Sequence, residues 1–102
     1  MEENEKVLVS ICCLVYNHAP YLRDCFEGFV MQQTTFKVEV LVHDDASSDN
    51  SADIIREYTF KYPELFKPIY QKENQYSKGI QISATYNFPR AKGKYIALCE
   101  GD

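Results

Sequence analysis

Six side chains with useful chemistry directly follow short apolar runs of the sequence. They are Tyr16 and Asn17, Asp44 and Asp45, and Glu100 and Asp102. Two or three carboxylates can hold a hard divalent cation such as Mg²⁺ or Mn²⁺, and that cation can bridge phosphate oxygens. A carboxylate can also accept the N3–H of uracil, and a tyrosine ring offers a face on which a base can stack. These residue types therefore suit a nucleotide diphosphate.

The apolar runs predict strands that position these side chains. Val7–Val15 is nearly continuous hydrophobe, as expected of a strand covered on both faces, and further strands are predicted at 38–42, Phe66–Tyr70 and 95–99. Amphipathic stretches predict helices from Pro20, from just after Asp49 to before Pro63, and over 77–88. This alternation predicts an α/β fold, a Rossmann-like open parallel sheet with crossover helices. Ligands of such sheets bind beyond the carboxyl ends of the strands, where all six side chains are expected to converge.

Composition excludes several classes of protein. The 102 residues fit one domain, and the net charge of -4 with scattered basic residues disfavours a nucleic-acid partner. The longest uninterrupted apolar stretch, 11–16, is far shorter than the roughly 18 residues of a transmembrane segment. Residues 1–6 are expected to form a disordered acidic leader without the positive start of a signal peptide, which favours a cytoplasmic location. Neither a G-x-G-x-x-G after the first strand nor a P-loop motif is present, so phosphates must be bound another way.

Three segments carry a family resemblance over residues 7–102. They are VSICCLVYN at 9–17, VLVHDDASSD at 40–49 with the pattern D-D-x-S-x-D, and GKYIALCEGD at 93–102 ending in an acidic motif. In this order and spacing they resemble the N-terminal, nucleotide-sugar-binding half of a family 2 glycosyltransferase of the GT-A fold. Asn87 also stands where the family has an asparagine.

The resemblance implies transfer of a sugar from a nucleotide-diphosphate donor, a UDP-sugar, to a hydroxyl of a glycan or lipid-linked acceptor, as in polysaccharide biosynthesis. It further implies that Tyr16 packs against the uracil ring and that Asp45 accepts a base N–H, with Asn17 and Asp44 in the same donor site. Asp102 would reach the ribose or the metal. Glu100 would begin the motif that binds Mg²⁺ or Mn²⁺.

Several positions depart from the family pattern. Leu14-Val15 replaces a common Pro-Thr pair, and Tyr86 stands where an arginine is frequent. Glu100 replaces the usual Asp, and its extra methylene moves the carboxylate by about one bond length at a site with bonds of about 2.1 Å. The resemblance also implies that 7–102 is half of a domain, truncated at the metal motif. A general base and an acceptor pocket are then expected after Asp102, so the fragment alone is expected to be inactive.

Other interpretations stay open at this point. The fold class also fits a receiver-type signalling domain, although its acid pair would follow the first strand, or a non-catalytic nucleotide-binding module. A sugar-nucleotide pyrophosphorylase would need a glycine-rich basic loop after the first strand, which is missing. Asp44 can be a structural loop acid, Asp49 a helix cap and Tyr16 plain packing at the sheet edge. His18 and His43 suit solvated or locally hydrogen-bonded histidines.

The four cysteines, at positions 12, 13, 25 and 99, lack the spacing of a zinc or redox motif and lie mostly in apolar segments. We therefore expect all four to be thiols in the folded protein, because cysteine in such settings behaves as a small hydrophobe. Thiol counting of the denatured chain without reductant should return four. A count of two or none would contradict this.

Overall fold

A computed structural model describes residues 7–32, 36–79 and 83–100, with the backbone alone at 83, 84 and 100. The leader at 1–6 and the predicted site residue Asp102 lie outside the described residues. Within this part of the chain four strands form one sheet in the order β3-β2-β1-β4. The strands are β1 (Val7–Val15), β2 (Lys37–Asp44), β3 (Phe66–Tyr70) and β4 (Tyr95–Glu100). Every pairing is parallel, which confirms the predicted open parallel sheet.

Two helices cover one face of the sheet. They are α1 (Ala19–Met31), with Pro20 in its first turn, and α2 (Ser51–Lys61), which ends before Pro63. Leu22 and Phe26 of α1 are buried against alternate residues of β1 and β2 such as Ile11 and Val40. The Phe26 ring centroid lies 4.9 Å from that of Phe66, so β3 joins the same core.

The segment from 83 to 90 covers the opposite face. Here the intervening strand residues Cys12 and His43 are fully buried, and the Tyr86 ring stacks on the His43 imidazole at 4.9 Å between centroids. The Arg90 guanidinium donates a hydrogen bond to the carbonyl of Val42 at 3.3 Å. The expectation from hydrophobic continuity that β1 is covered on both faces is therefore confirmed.

The helix predicted at 77–88 is wrong. A 3₁₀ turn at Tyr76–Lys78 ends at Gly79, whose φ of 79° is left-handed and cannot continue a helix. A π-helical turn at Ser83–Asn87 and a 3₁₀ turn at Phe88–Arg90 follow. Pro89 supplies no N–H to a regular helix there. The strands also extend further than predicted, so that Asp44 ends β2 and Glu100 ends β4.

A buried carboxylate holds the start of β4 against β1. Glu39 is 3% exposed and its Oε2 accepts the Ser10 hydroxyl at 2.6 Å and the Lys92 amide at 2.8 Å. The Ser10 Oγ in turn accepts the Gly93 amide at 2.8 Å. A Cβ at position 93 would lie 2.7 Å from the Ser10 backbone nitrogen, closer than real contacts permit. The chain can therefore approach β1 here only because residue 93 is glycine.

We expect Gly93→Ala to lower the free energy of unfolding by about 1 to 3 kcal/mol, because backbone atoms of β1 must move to admit the methyl group. Gly28→Ala on α1 is the matched control, since a Cβ there meets nothing within 4 Å. Alanine is the better helix former by about 1 kcal/mol, so the control should be neutral or stabilising. Urea unfolding of both variants decides the point. Equal effects would contradict the close approach at Gly93.

Candidate functional site

The carboxyl ends of three strands meet at one edge of the sheet. Val15 is the register partner of Asp44, and Leu14 is the register partner of Glu100. The amide of Asp45 donates to the carbonyl of Val15 at 2.9 Å, which keeps the first residues after β1 and β2 side by side. The backbone therefore brings the loops together as the sequence suggests. The side chain of Glu100 and the whole of Asp102 lie outside the described residues.

Asn17 ties the loop after β1 to the loop after β2. Its side-chain oxygen accepts the Ser48 amide at 2.7 Å and the Asp49 amide at 3.3 Å. Its own amide donates to Ser47 Oγ at 2.9 Å. Asn17 has a left-handed φ of 56°, which asparagine tolerates better than most residues. The Asn17 side chain thus organises the D-D-x-S-x-D loop.

Asp49 joins the starts of both helices. One carboxylate oxygen accepts the Ser51 amide at 2.9 Å and the other accepts the Ala19 amide at 3.2 Å. Ser51 Oγ completes the link by accepting the His18 amide at 3.0 Å. The N-cap position of α2 is occupied by Asn50, whereas the sequence suggested Asp49 as the helix cap. Asp49 lies one residue before the N-cap and still accepts amides from the starts of both helices. Slight burial acts to raise the pKa of Asp49, but hydrogen bonds from Ser51 and Ala19 outweigh it and lower that pKa.

Asp45 holds the segment that follows β3. Its carboxylate accepts the Gln75 amide at 2.6 Å and the Tyr76 amide at 3.0 Å, and it is only 2% exposed. The Asn74 side chain adds a hydrogen bond to the Asp45 carbonyl at 3.1 Å. From the sequence, the polar turn that begins at Asn74 could be an ordinary loop or a ligand contact, and no pattern linked it to Asp45. The available signal was Asn74 three residues before Ser77, whose amide donates to the Asn74 side chain in a side-chain-stabilised turn.

The other predicted residues differ in how open they are. Asp44 is buried and accepts the Ser47 hydroxyl, and burial raises the pKa of its carboxyl group. Tyr16 is 47% exposed at the edge of the sheet, so its ring has a face open to a ligand. Ala46 has a positive φ of 63°, which for a non-glycine residue costs about 1 to 2 kcal/mol. The loop thus holds a strained turn in place through the bonds of its neighbours.

Three buried polar atoms on the face covered by 83–90 have no hydrogen-bond partner among the described residues. They are His43 Nδ1, Asn87 Nδ2 and Arg90 Nε. His43 is not solvated, because it is fully buried and its Nε2 lies 3.2 Å from the Gln71 amide nitrogen. Burial lowers the pKa of His43, so the imidazole is neutral at pH 7.

The described residues do not by themselves form a metal site. No three of their His, Cys, Asp and Glu side chains are grouped so that they could hold a metal ion. The carboxylates of Asp44 and Asp45 already accept hydroxyl and amide hydrogens. The side chains of the two predicted metal ligands, Glu100 and Asp102, lie outside the described part of the chain.

No helix within the described ranges is long and apolar enough to cross a membrane.

The fold matches solved glycosyltransferase structures. TarS from S. aureus superimposes with a TM-score of 0.74 at 22% identity, over 94% of this chain and 28% of that one. The mannosyltransferase PcManGT from Pyrobaculum calidifontis, solved with GDP-Man and Mn²⁺, gives a TM-score of 0.60 at 24% identity, over 69% of this chain and 21% of that one. At these identities the likeness concerns the fold, and it confirms the GT-A type of architecture.

Sequence relatives define the family. A protein of Mycobacterium tuberculosis (strain ATCC 25618 / H37Rv) with no assigned function is 43% identical over 92% of this chain and 26% of its own length. EpsH of Bacillus subtilis, described as a candidate glycosyltransferase, is 36% identical over 96% of this chain and 27% of its own length. TuaG of the same organism, described as a candidate glycosyltransferase of teichuronic acid biosynthesis, is 31% identical over 97% and 37%.

The model of the family "Glycosyl transferase family 2" matches residues 10–102. This chain therefore belongs to glycosyl transferase family 2, as its three motifs indicate. It spans between 26% and 37% of the length of these three relatives. Family membership removes the receiver-domain and pyrophosphorylase interpretations.

We expect Asp49→Ala to lower the free energy of unfolding by about 1 to 2 kcal/mol, because amides at the starts of two helices lose their acceptor. Asp24→Ala, on the exposed side of α1, is the control and should change stability by no more than about 0.5 kcal/mol. The pKa of Asp49 is lowered in the folded chain, so its contribution is present above the unfolded pKa and is lost as the pH falls through the folded pKa. Urea unfolding of both variants at pH 7 and pH 3 measures this. A difference between Asp49→Ala and the parent that stays constant between these pH values would contradict it.

Proposed function

We propose that this chain forms the donor-binding part of a glycosyltransferase that moves a sugar from a nucleotide diphosphate to an acceptor hydroxyl. The observation that carries the proposal is the family match over residues 10–102. The geometry supports it, because the strand ends that bind ligands in open α/β sheets meet at Tyr16, Asp45 and the backbone of Glu100. The name of TuaG favours a polysaccharide as the product, with a glycan or lipid-linked acceptor.

Recognition of a uracil base is assigned to Tyr16 and Asp45. The exposed Tyr16 ring provides the stacking face. An ionised carboxylate has about four acceptor positions, so the two amides bound to Asp45 leave room for the N3–H of uracil. Because Asp45 is nearly covered, the base reaches it only when the segment 74–76 moves aside. We propose that this segment closes over the base edge once the donor is bound.

Asn17 and Asp44 act on the donor indirectly in this proposal. The Asn17 side-chain oxygen already accepts the amides of Ser48 and Asp49. The Asp44 carboxylate already accepts the Ser47 hydroxyl. Both residues therefore fix the loop that carries Asp45. A fixed loop lowers the entropy lost on binding, because its donors and acceptors are already placed for the ligand.

A divalent cation, Mg²⁺ or Mn²⁺, is proposed to be held by Glu100 and Asp102 at the end of β4. Support comes from family membership and from the Mn²⁺ present in the PcManGT complex. Carboxylate oxygens are the ligands such cations prefer. When bound, the cation would act as a Lewis acid for the departing diphosphate.

The test of the proposed base recognition compares UDP with CDP. Cytosine has an unprotonated N3 whose lone pair would face the Asp45 carboxylate, so UDP should bind more tightly. A hydrogen bond to a charged group contributes about 1.5 to 3 kcal/mol, so Asp45→Ala should weaken UDP binding about 10- to 150-fold. Binding is followed by NMR titration with Mg²⁺ present.

Asp45→Asn separates base recognition from the structural role of Asp45. The asparagine retains an oxygen acceptor for one of the two amides at residues 75 and 76, while its NH₂ group can donate to cytosine N3. The preference for UDP over CDP should therefore shrink or reverse in this variant, while Asp24→Ala keeps the parent preference. Equal UDP and CDP affinities in the parent, tighter GDP binding, or a variant that still prefers UDP would refute recognition by Asp45. Absence of binding by any nucleotide would refute the donor-site proposal itself.

A further inference from the structure

Three sulfur atoms from three different elements meet on the helix-covered side of the sheet. Cys13 of β1 and Cys99 of β4 are register partners on adjacent strands. Cys25 of α1 lies above them, with its Sγ 3.8 Å from the Sγ of Cys99. All four cysteines of the chain carry reduced thiols in this structure. The sequence separates Cys25 from Cys99 by 74 residues, so spacing alone gave no sign of this cluster.

The three sulfurs differ in their access to solvent. Cys13 is fully buried, whereas Cys25 and Cys99 are each partly exposed. A small polar oxidant can therefore approach Cys25 and Cys99 more readily than Cys13. Cys12 is also fully buried, but it points to the opposite face of β1, because successive side chains of a strand alternate. Cys12 therefore lies outside the cluster.

The distance between Cys25 and Cys99 is short enough for a bond to form with small movements. A disulfide has about 2.05 Å between its sulfurs, so the Sγ atoms of Cys25 and Cys99 must move closer to each other by about 1.8 Å. Rotation about the Cα–Cβ bond of a cysteine moves its sulfur by that amount without displacing the backbone. The two residues are on a helix and a strand that already pack together through the core that includes Cys13.

We propose that Cys25 and Cys99 form a peroxide-responsive dithiol pair that is reversibly oxidised to a disulfide. In the first step one of the two thiols takes one oxygen from hydrogen peroxide, giving a sulfenic acid and one water. In the second step the sulfur of the other thiol attacks the sulfenic sulfur and forms the S–S bond, and the hydroxyl leaves with the proton of that thiol as a second water. The two thiols together lose two electrons and two protons, and the peroxide gains them.

A disulfide between Cys25 and Cys99 would lie close to the candidate site. Cys99 directly precedes Glu100, where the proposed cation motif begins. A disulfide would tie this end of β4 to α1, the helix that starts three residues after Tyr16. Oxidation would therefore fix the spacing between two sides of the candidate site. Formation of the bond does not depend on the proposed donor-binding function, so the two proposals can fail separately.

The experiment treats the purified, reduced protein with hydrogen peroxide, blocks remaining thiols by alkylation and maps the peptides by mass spectrometry. The expected product is a monomer lighter by about 2 Da, with a single cross-link between the Cys25 and Cys99 peptides. The number of alkylated cysteines should fall from four to two, and dithiothreitol should restore four. Mapping the parent protein requires no variant, so the result does not depend on a substitution being tolerated.

Two variants sharpen the assignment. Cys25→Ser, at a partly exposed position, should abolish the intramolecular cross-link, while Cys12→Ala should leave it in place. A cross-link that joins Cys13 to either neighbour would overturn the proposal, as would oxidation that yields sulfinic acids or disulfide-linked dimers instead. Persistence of all four thiols under peroxide that oxidises a control dithiol peptide would also overturn it.

Discussion

The parallel register of β1 with β2 is the constraint on which the candidate site depends. It places Val15 beside Asp44, so the chain leaves both strands at the same level of the sheet. Two loops that leave together present backbone amides that need acceptors, and each hydrogen bond so formed contributes about 0.5 to 1.5 kcal/mol. Asn17 and Asp49 provide these acceptors from side chains. A one-residue slip of β2 would exchange its two faces and separate every one of these pairs.

The polar residues of the D-D-x-S-x-D loop therefore divide into two groups. Asp44, Ser47 and Asp49 are engaged in holding the loop and the helix starts. The Asp45 carboxylate instead reaches a segment about 30 residues further along the chain, where it accepts the amides of residues 75 and 76. This one carboxylate therefore joins the loop to a separate short turn.

The two faces of the sheet have different chemistry. The helix-covered face is mainly apolar and carries the sulfur cluster of Cys13, Cys25 and Cys99. The other face buries Glu39, which is satisfied by Ser10 and Lys92, and His43, which stacks on Tyr86. Burial of a carboxylate is tolerable only with such partners, since an unpaired charge would cost several kcal/mol. The tight passage at Gly93 exists because these hydrogen bonds draw the chain onto β1.

Local sequence pattern determined β1 at Val7–Val15, β3 at Phe66–Tyr70 and both long helices, because hydrophobic periodicity is a property of neighbouring residues. It also determined the family, because each family motif is a short run of adjacent residues. It failed at 77–88, because Gly79 turns the backbone left-handed and because 83–90 form two short turns packed against the sheet. The tertiary structure alone decided that Asp45 binds 75–76, that Glu39 holds residue 92 across 53 positions, and that Cys25 meets Cys99. Such pairings depend on which strands are adjacent and in what register. A local sequence pattern does not specify which distant residues the fold brings into contact.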